Sequence, residues 1–251
     1  MYDANMISSK AFALCFTHAE ECLRSGTDAG AVTLGGMNAD MHTSPMVYAE
    51  SIDFNGWYGV RVNAVYLKFD GDDGEDDEGG EVAKTMVKLD LDLDKTNSKG
   101  IIIDSGTTES YFSAFMSLPF KTSFEELMGF NFDSMIKESD DINPHTDYPT
   151  IVIQLRSAPD VKDDDLMDGN GHPLVGLANE IDLDHPNDVL LEIPPRNYMM
   201  WSESANAWTN RFHMTEHNDY GVIGANSMVG HDILFDVDKK QIGFAKSDCV
   251  F

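Results

Sequence analysis

Apolar and polar residues alternate with a period of two along most of this chain. AFALCF (11–16), AVTLGG (31–36), PMVYAESI (45–52) and WYGVRVNAVYLKF (57–69) are runs of this kind, separated by Gly, Asn, Asp and Pro. Such alternation puts every second side chain on one face and predicts strands. LDLDLD (89–94) alternates without a break, so Leu89, Leu91 and Leu93 are expected to face a core and Asp90, Asp92 and Asp94 water. Gly100 opens IIID (101–104), an apolar run that predicts a strand buried on both faces. TIVIQL (150–155), VLLEI (189–193), GVIG (221–224), DILFDV (232–237) and QIGFA (241–245) continue the series. Helical spacing is scarce. It is best over 109–128, broken by Pro119, with a shorter stretch over 131–138. Many short strands between turn residues predict an all-β fold of sandwich or barrel type with a few short helices. No internal repeat of short period is present.

Composition narrows the function classes. The 251 residues suffice for one large domain or two small ones, and a 42% hydrophobic share is enough for a core, which excludes wholesale disorder. Lys and Arg number 17 against 44 Asp and Glu, a net charge of −27. That balance argues against a nucleic-acid backbone or an anionic membrane surface as partner. No apolar run approaches the roughly 20 residues of a membrane-spanning helix. Residues 1–10 carry no basic segment followed by an apolar one, so no signal peptide is expected within this chain. Residues 70–81 read DGDDGEDDEGGE, eight acids and four glycines; without them the charge would still be −19. This tract and the polar stretch within 160–185 are expected to be solvated acidic loops. Neither has calcium-loop spacing: counted from Asp70, Gly74 falls where a ligand is needed.

Three cysteines, Cys15, Cys22 and Cys249, permit one bridge or none, and no CxxC pair suggests zinc. His213, Glu216 and His217 spell H-x-x-E-H, a zinc motif when both histidines share a helical face. The surrounding WTNRFHMTEHNDYGV is rich in strand formers and turn residues instead, so no metal site is expected there. Ser134 and Lys137 fit S-x-x-K without the partner motifs that would give it meaning.

The sharpest feature is IIIDSGTT, Ile101 to Thr108. A strand delivers the carboxylate of Asp104, and the chain turns at once. Gly106 can expose its N–H, while Ser105 and Thr107 place hydroxyls beside the acid. Donors so arranged would hold a carboxylate and favour its ionised form. The same residues also suit an ordinary strand-to-turn aspartate making an Asx turn.

With its surroundings, this motif resembles the active-site sequence of pepsin-like aspartic proteases. YPTIVIQL (148–155) followed by IPPRNYMM (193–200) resembles the stretch leading into that family's final strands. VIGANSMVGHDILFDVDKKQIGFA (222–245) is similar to its C-terminal signature. Upstream, FALCF, GAVTLGGMN and GWYGVRVNAVYL resemble the run joining the family's two lobes and entering the second. The segments keep the family's order from about residue 7 onward.

The resemblance implies a pepsin-like second lobe, of orthogonal-sheet or barrel-like form, over 51–251, with 1–50 supplying inter-lobe strands. It implies an aspartic endopeptidase that hydrolyses polypeptides without a cofactor. Asp104 matches the second-lobe catalytic aspartate. Ser105 matches a hydroxyl that braces one active-site loop against the other. Gly106 and Thr107 match donors to the carboxylate, Thr108 completes the motif, and Gly224 matches a glycine beneath the loop. Ser227 and Val229 depart from the larger or more polar residues common at their positions. In several branches of the family, a bridge equivalent to Cys15–Cys249 ties the linking strands to the C-terminus, leaving Cys22 free or competing. Such a bridge implies a secretory, vacuolar or extracellular route.

The family needs two catalytic aspartates, one per lobe. Asp104-Ser105-Gly106 is the one Asp-Ser/Thr-Gly sequence here, and the Tyr58-Gly59 upstream of it falls in the run that resembles the entry to the second lobe, so no flap hairpin is identified. The chain is therefore expected to be a lone lobe or a fragment, inactive as a monomer, with the missing lobe as its partner. A homodimer facing two Asp104 loops is the less favoured arrangement, since two highly acidic copies repel. A non-catalytic binding or inhibitor module of the same architecture is the alternative.

Overall fold

The computed structural model describes residues 1–17, 29–69, 85–137, 140, 142–161, 166–215 and 218–249. The acidic tract 70–81, Cys22, Glu216 and His217 lie outside the described residues.

The chain is mostly β, in several open sheets. The first sheet joins the two ends of the sequence: β1 (Ala11–Phe16), β2 (Gly30–Leu34), β3 (Val47–Glu50), β16 (His231–Asp236) and β17 (Gln241–Lys246), in the order β2-β1-β16-β17-β3. All its pairings are antiparallel, with Cys15 opposite Asp232 and Phe244 opposite Val47. Phe12 and Phe235 stack on the inner face of this sheet, and Tyr58 packs edge-on and tilted against them. The N-terminal strands thus share one core with the rest of the chain.

A second sheet has the order β11-β10-β6-β7, formed by Val189–Ile193, Thr150–Leu155, Val62–Phe69 and Thr85–Lys88. All six residues of β10 are buried, as suits a central strand covered on both faces. Residues 57–69, a single run of alternation, divide at Arg61 into β5 (Trp57–Val60) and β6, which serve different sheets. β12 (Met199–Ser202) and β13 (Ala207–Asn210) form a separate hairpin.

The remaining sheet carries the Asp104 motif. Its order is β14-β9-β15-β8-β5-β4, with β4 at Ile52–Phe54, β8 at Ile101–Asp104, β9 at Ser110–Phe112, β14 at Phe212–Met214 and β15 at Gly221–Gly224. β15 lies between β8 and β9, the two strands joined by residues 105–109. It runs parallel to β8 and antiparallel to β9. The 105–109 connection must therefore cross the end of β15. None of the sheets closes on itself among the described residues, so the barrel-like expectation becomes a set of open sheets around one core.

Four local expectations are corrected. LDLDLD does not continue as a strand: β7 ends at Lys88, Leu89 is buried and Leu93 is exposed. Asp92 instead accepts the N–H of Lys95 and caps α1 (Leu93–Ser98). An aspartate that satisfies an orphan donor at a helix start outweighs a weak alternating pattern.

Residues 109–128 do not form one broken helix. The first part is β9, and α2 (Ala114–Met128) follows. Pro119 lies inside α2 without ending it. A proline in a helix interior costs about 3 kcal/mol. Met116, Phe120 and Phe124 of α2 are fully buried, and each such side chain is worth about 1.5–3 kcal/mol. Burial therefore outweighs the proline.

Residues 131–137 are not helical. Asn131 accepts the N–H of Asp133, turning the chain so that Phe132 is buried and Ile136 bridges to Trp208. Finally, β8 is buried on alternate residues rather than on both faces: Ile101 and Ile103 are inside, Ile102 and Asp104 partly exposed.

The described part of 160–185 is acidic but anchored. Leu166, Leu174, Leu177 and Ala178 are buried, and Asp168 accepts the N–H groups of Asn170 and His172. The acids there shape turns around an apolar footing.

Candidate functional site

Asp104 ends β8, and its backbone carbonyl accepts the N–H of Thr107, closing a tight turn. Oδ1 accepts the Gly106 N–H at 2.9 Å, and Oδ2 accepts the Thr107 hydroxyl at 2.6 Å. Each carboxylate oxygen is thus fixed by its own donor, and the group remains partly open to solvent. This goes beyond an Asx turn, which fixes one oxygen only. Asp104 makes no ion pair among the described residues.

Gly224 is the register partner of Asp104 across β8 and β15. The crossing loop lies directly on it. A Cβ at 224 would fall 2.2 Å from the Glu109 carbonyl oxygen and 2.8 Å from that of Thr107. Its φ of −85° is open to any residue, so the requirement for glycine here is close approach and not backbone conformation. Ala225 and Asn226 then donate their N–H groups to the carbonyls of Thr107 and Thr108, at 2.8 and 3.0 Å.

A buried polar knot fixes the far side of the loop. Ser110 Oγ accepts the Gly224 N–H at 2.9 Å, donates to Asn226 Oδ1 at 2.8 Å, and lies 2.6 Å from Ser227 Oγ. Asn226 Nδ2 donates to the carbonyls of Asn197 and Arg211. Buried and satisfied networks of this kind rigidify what they support. Ser227, the departure from larger residues noted above, fits this knot because its small hydroxyl reaches Ser110.

Ser105 and Thr108 are exposed, and neither side chain makes a hydrogen bond among the described residues. The site therefore joins Asp104, Gly106, Thr107 and Gly224. Ser105 and Thr108 contribute surface hydroxyls on the same loop.

A charged cluster borders the loop and was not legible from residue spacing. Glu109 takes Arg211 Nη1 on Oε1 and His213 Nε2 on Oε2, both in very short contacts. Tyr111 stacks on the His213 ring with centroids 4.9 Å apart. Burial opposes ionisation of Glu109, but the hydrogen bonds from His213 and Arg211 prevail and hold its pKa below the ordinary glutamate value.

His213 sits on strand β14, not on a helix. The geometry an H-x-x-E-H zinc site requires is therefore absent at its first histidine, while Glu216 and His217 lie outside the described residues. Among the described residues no cluster of His, Cys, Asp and Glu could hold a metal.

Cys15 of β1 and Cys249, beyond β17, are joined at disulfide distance, with Cα atoms 5.4 Å apart. Both are buried. Among the described residues no helix is long and apolar enough to cross a membrane.

No family model matches the chain, and no curated protein matches it significantly. The class these observations define is a mostly β chain with a carboxylate held at a loop that crosses between two strands.

Proposed function

We propose that this chain is one lobe of a pepsin-like aspartic endopeptidase and that Asp104 is one carboxylate of its two-aspartate dyad. The observation that carries the reading is the loop crossing at Gly224. It presents Asp104 to solvent with one donor on each oxygen.

The chemistry needs two such groups. Like charges a few ångströms apart cannot both ionise cheaply, so the pair shares one proton. The ionised member takes a proton from water as that water attacks the scissile carbonyl, and the protonated member donates to the carbonyl oxygen. The donors on Asp104 fix its orientation for either role. The second carboxylate has to come from another lobe, in the same or a separate chain. The bridge between Cys15 and Cys249 fits a secretory or vacuolar route.

Genomic sequence directly upstream is expected to encode a lobe with its own Asp-Thr/Ser-Gly and a flap tyrosine. Its absence would favour a binding module. The two-lobed product is expected to cleave protein at acid pH. Asp104→Asn should lower kcat by about 10²- to 10⁴-fold with the fold retained by circular dichroism. An unchanged rate in that variant would overturn the assignment. The monomer described here is expected to show little or no activity; cleavage by the purified monomer, blocked by a transition-state mimic, would remove the need for a second lobe.

A further inference from the structure

A cavity of about 360 Å³ opens between the first and second sheets and shares no lining residue with the 104–110 loop. In a chain with far more acids than bases, three cationic side chains line it: Lys68 of β6, Lys246 of β17, and Arg196 of the short helix Pro195–Tyr198. Two carboxylates line it as well, Glu192 and Asp248.

Glu192 is already engaged. Its Oε1 takes Lys68 Nζ at 2.8 Å and its Oε2 takes Lys246 Nζ at 2.7 Å. Each ammonium has three donors, so the Lys246 head, half exposed, keeps donor capacity toward the cavity. Arg196 is exposed and makes no hydrogen bond or ion pair among the described residues. An exposed guanidinium fork without a partner among the described residues is available to a planar oxyanion.

We infer that this cavity binds a small oxyanion, a carboxylate or phosphate group, with Arg196 as the fork and Lys246 as the second cation. Its volume lies within the range of small-molecule sites. The net charge of the whole chain opposes anions, but charges beyond a Debye length of about 8–10 Å are largely screened, so the groups lining the cavity decide. The site does not depend on the protease reading.

Titration calorimetry of the whole chain at constant ionic strength tests this, with inorganic phosphate and succinate as separate probes. Saturable binding of either anion is expected and assigns the ligand class. Arg196→Ala and Lys246→Ala should each weaken it about tenfold or more, one charge-assisted contact being worth at least that. Both residues are surface-accessible; an unchanged melting curve for Arg196→Ala, and a cooperative though lowered one for Lys246→Ala, which also loses its pair with Glu192, would show that the variants fold. Glu192→Gln should act in the opposite direction and tighten binding, because the charged hold on Lys246 is relaxed and its ammonium can turn toward the ligand. Equal affinity in all four proteins, or no saturation with either probe up to about 10 mM, would overturn the proposal. So would binding seen only after the acids of 70–81 are replaced by their amides, which would make the chain's own carboxylates the occupant.

Discussion

Asp104 and Gly224 face each other across a parallel strand pair, and the loop that leaves Asp104 passes over Gly224. The two residues are distant in sequence, yet the setting of the Asp104 loop depends on the absence of a side chain at Gly224. A side chain at 224 would push the crossing loop, and with it the donors on the carboxylate.

Gly224→Ala is therefore expected to destabilise the fold by about 1–3 kcal/mol or more, as overpacking does. The atoms its Cβ would meet are backbone, which cannot rotate away. Gly106→Ala is the contrast. Its Cβ would lie 3.2 Å from Asp104 Oδ1 and meets no other residue, so stability should change by about 0.5 kcal/mol or less. Urea unfolding of both variants checks the pair. Equal losses would mean that the crossing is not held as described.

Glu192 gives the fold a pH dependence with a defined window. Burial alone would raise its pKa, but the hydrogen bonds and charges of Lys246 and Lys68 bring it down from 4.5 to about 2. A folded-state pKa below the unfolded value contributes stability that is present above about pH 4.5 and is lost as pH falls toward 2. Allowing for partial exposure, about 2–3 kcal/mol is at stake. The stability difference between the native chain and Glu192→Gln should shrink steadily between pH 4.5 and 2. A difference that stays constant across that range would contradict the ion-paired geometry.

Cys15 and Cys249 close a loop with a sequence separation of 234. By restricting the unfolded chain, such a bridge contributes about 2–5 kcal/mol. Cys15→Ala with Cys249→Ala should lower the urea midpoint accordingly, and reductant should have the same effect on the native chain alone. Peptide mapping without reduction is expected to recover the two cysteines in one linked fragment; an unlinked Cys249 would refute the bridge.

Glu109 pairs with the Arg211 guanidinium and the His213 ring at the edge of the candidate site. Glu109→Gln should cost about 1–3 kcal/mol near neutral pH, since charged hydrogen bonds to Arg211 and His213 are lost. The depressed carboxylate pKa fixes the sign: the contribution is present above the ordinary glutamate value and fades as pH falls through the lower folded value. Thermal melts of both proteins at neutral and strongly acid pH should therefore converge at the acid end.

Much of the strand inventory was legible because period-two alternation is a local property. β1, β10, β11 and β15 fall on the runs AFALCF, TIVIQL, VLLEI and GVIG without a shift. Short strands with weak alternation were not legible. β9, β14 and the β12–β13 hairpin owe their existence to partners, as where Phe212 pairs with Ser110 across the sheet. LDLDLD failed for a related reason, since a single capping hydrogen bond from Asp92 decided what the pattern left open.

By itself the sequence determined the strand-rich class, the acid placed at the end of an apolar run, and the hydroxyl and glycine beside it. Those depend on neighbours a few residues away, where side-chain type and backbone freedom act directly. Only the tertiary structure decided that β15 inserts between β8 and β9, that Gly224 lies beneath the loop, and that Ser110, Asn226 and Ser227 brace it. The same holds for Glu109 meeting Arg211 and His213, and for the cations gathered around Glu192. These contacts join residues a hundred or more positions apart or on different sheets. Their energy exists only once chain entropy has been overcome by core burial, so no local pattern encodes them.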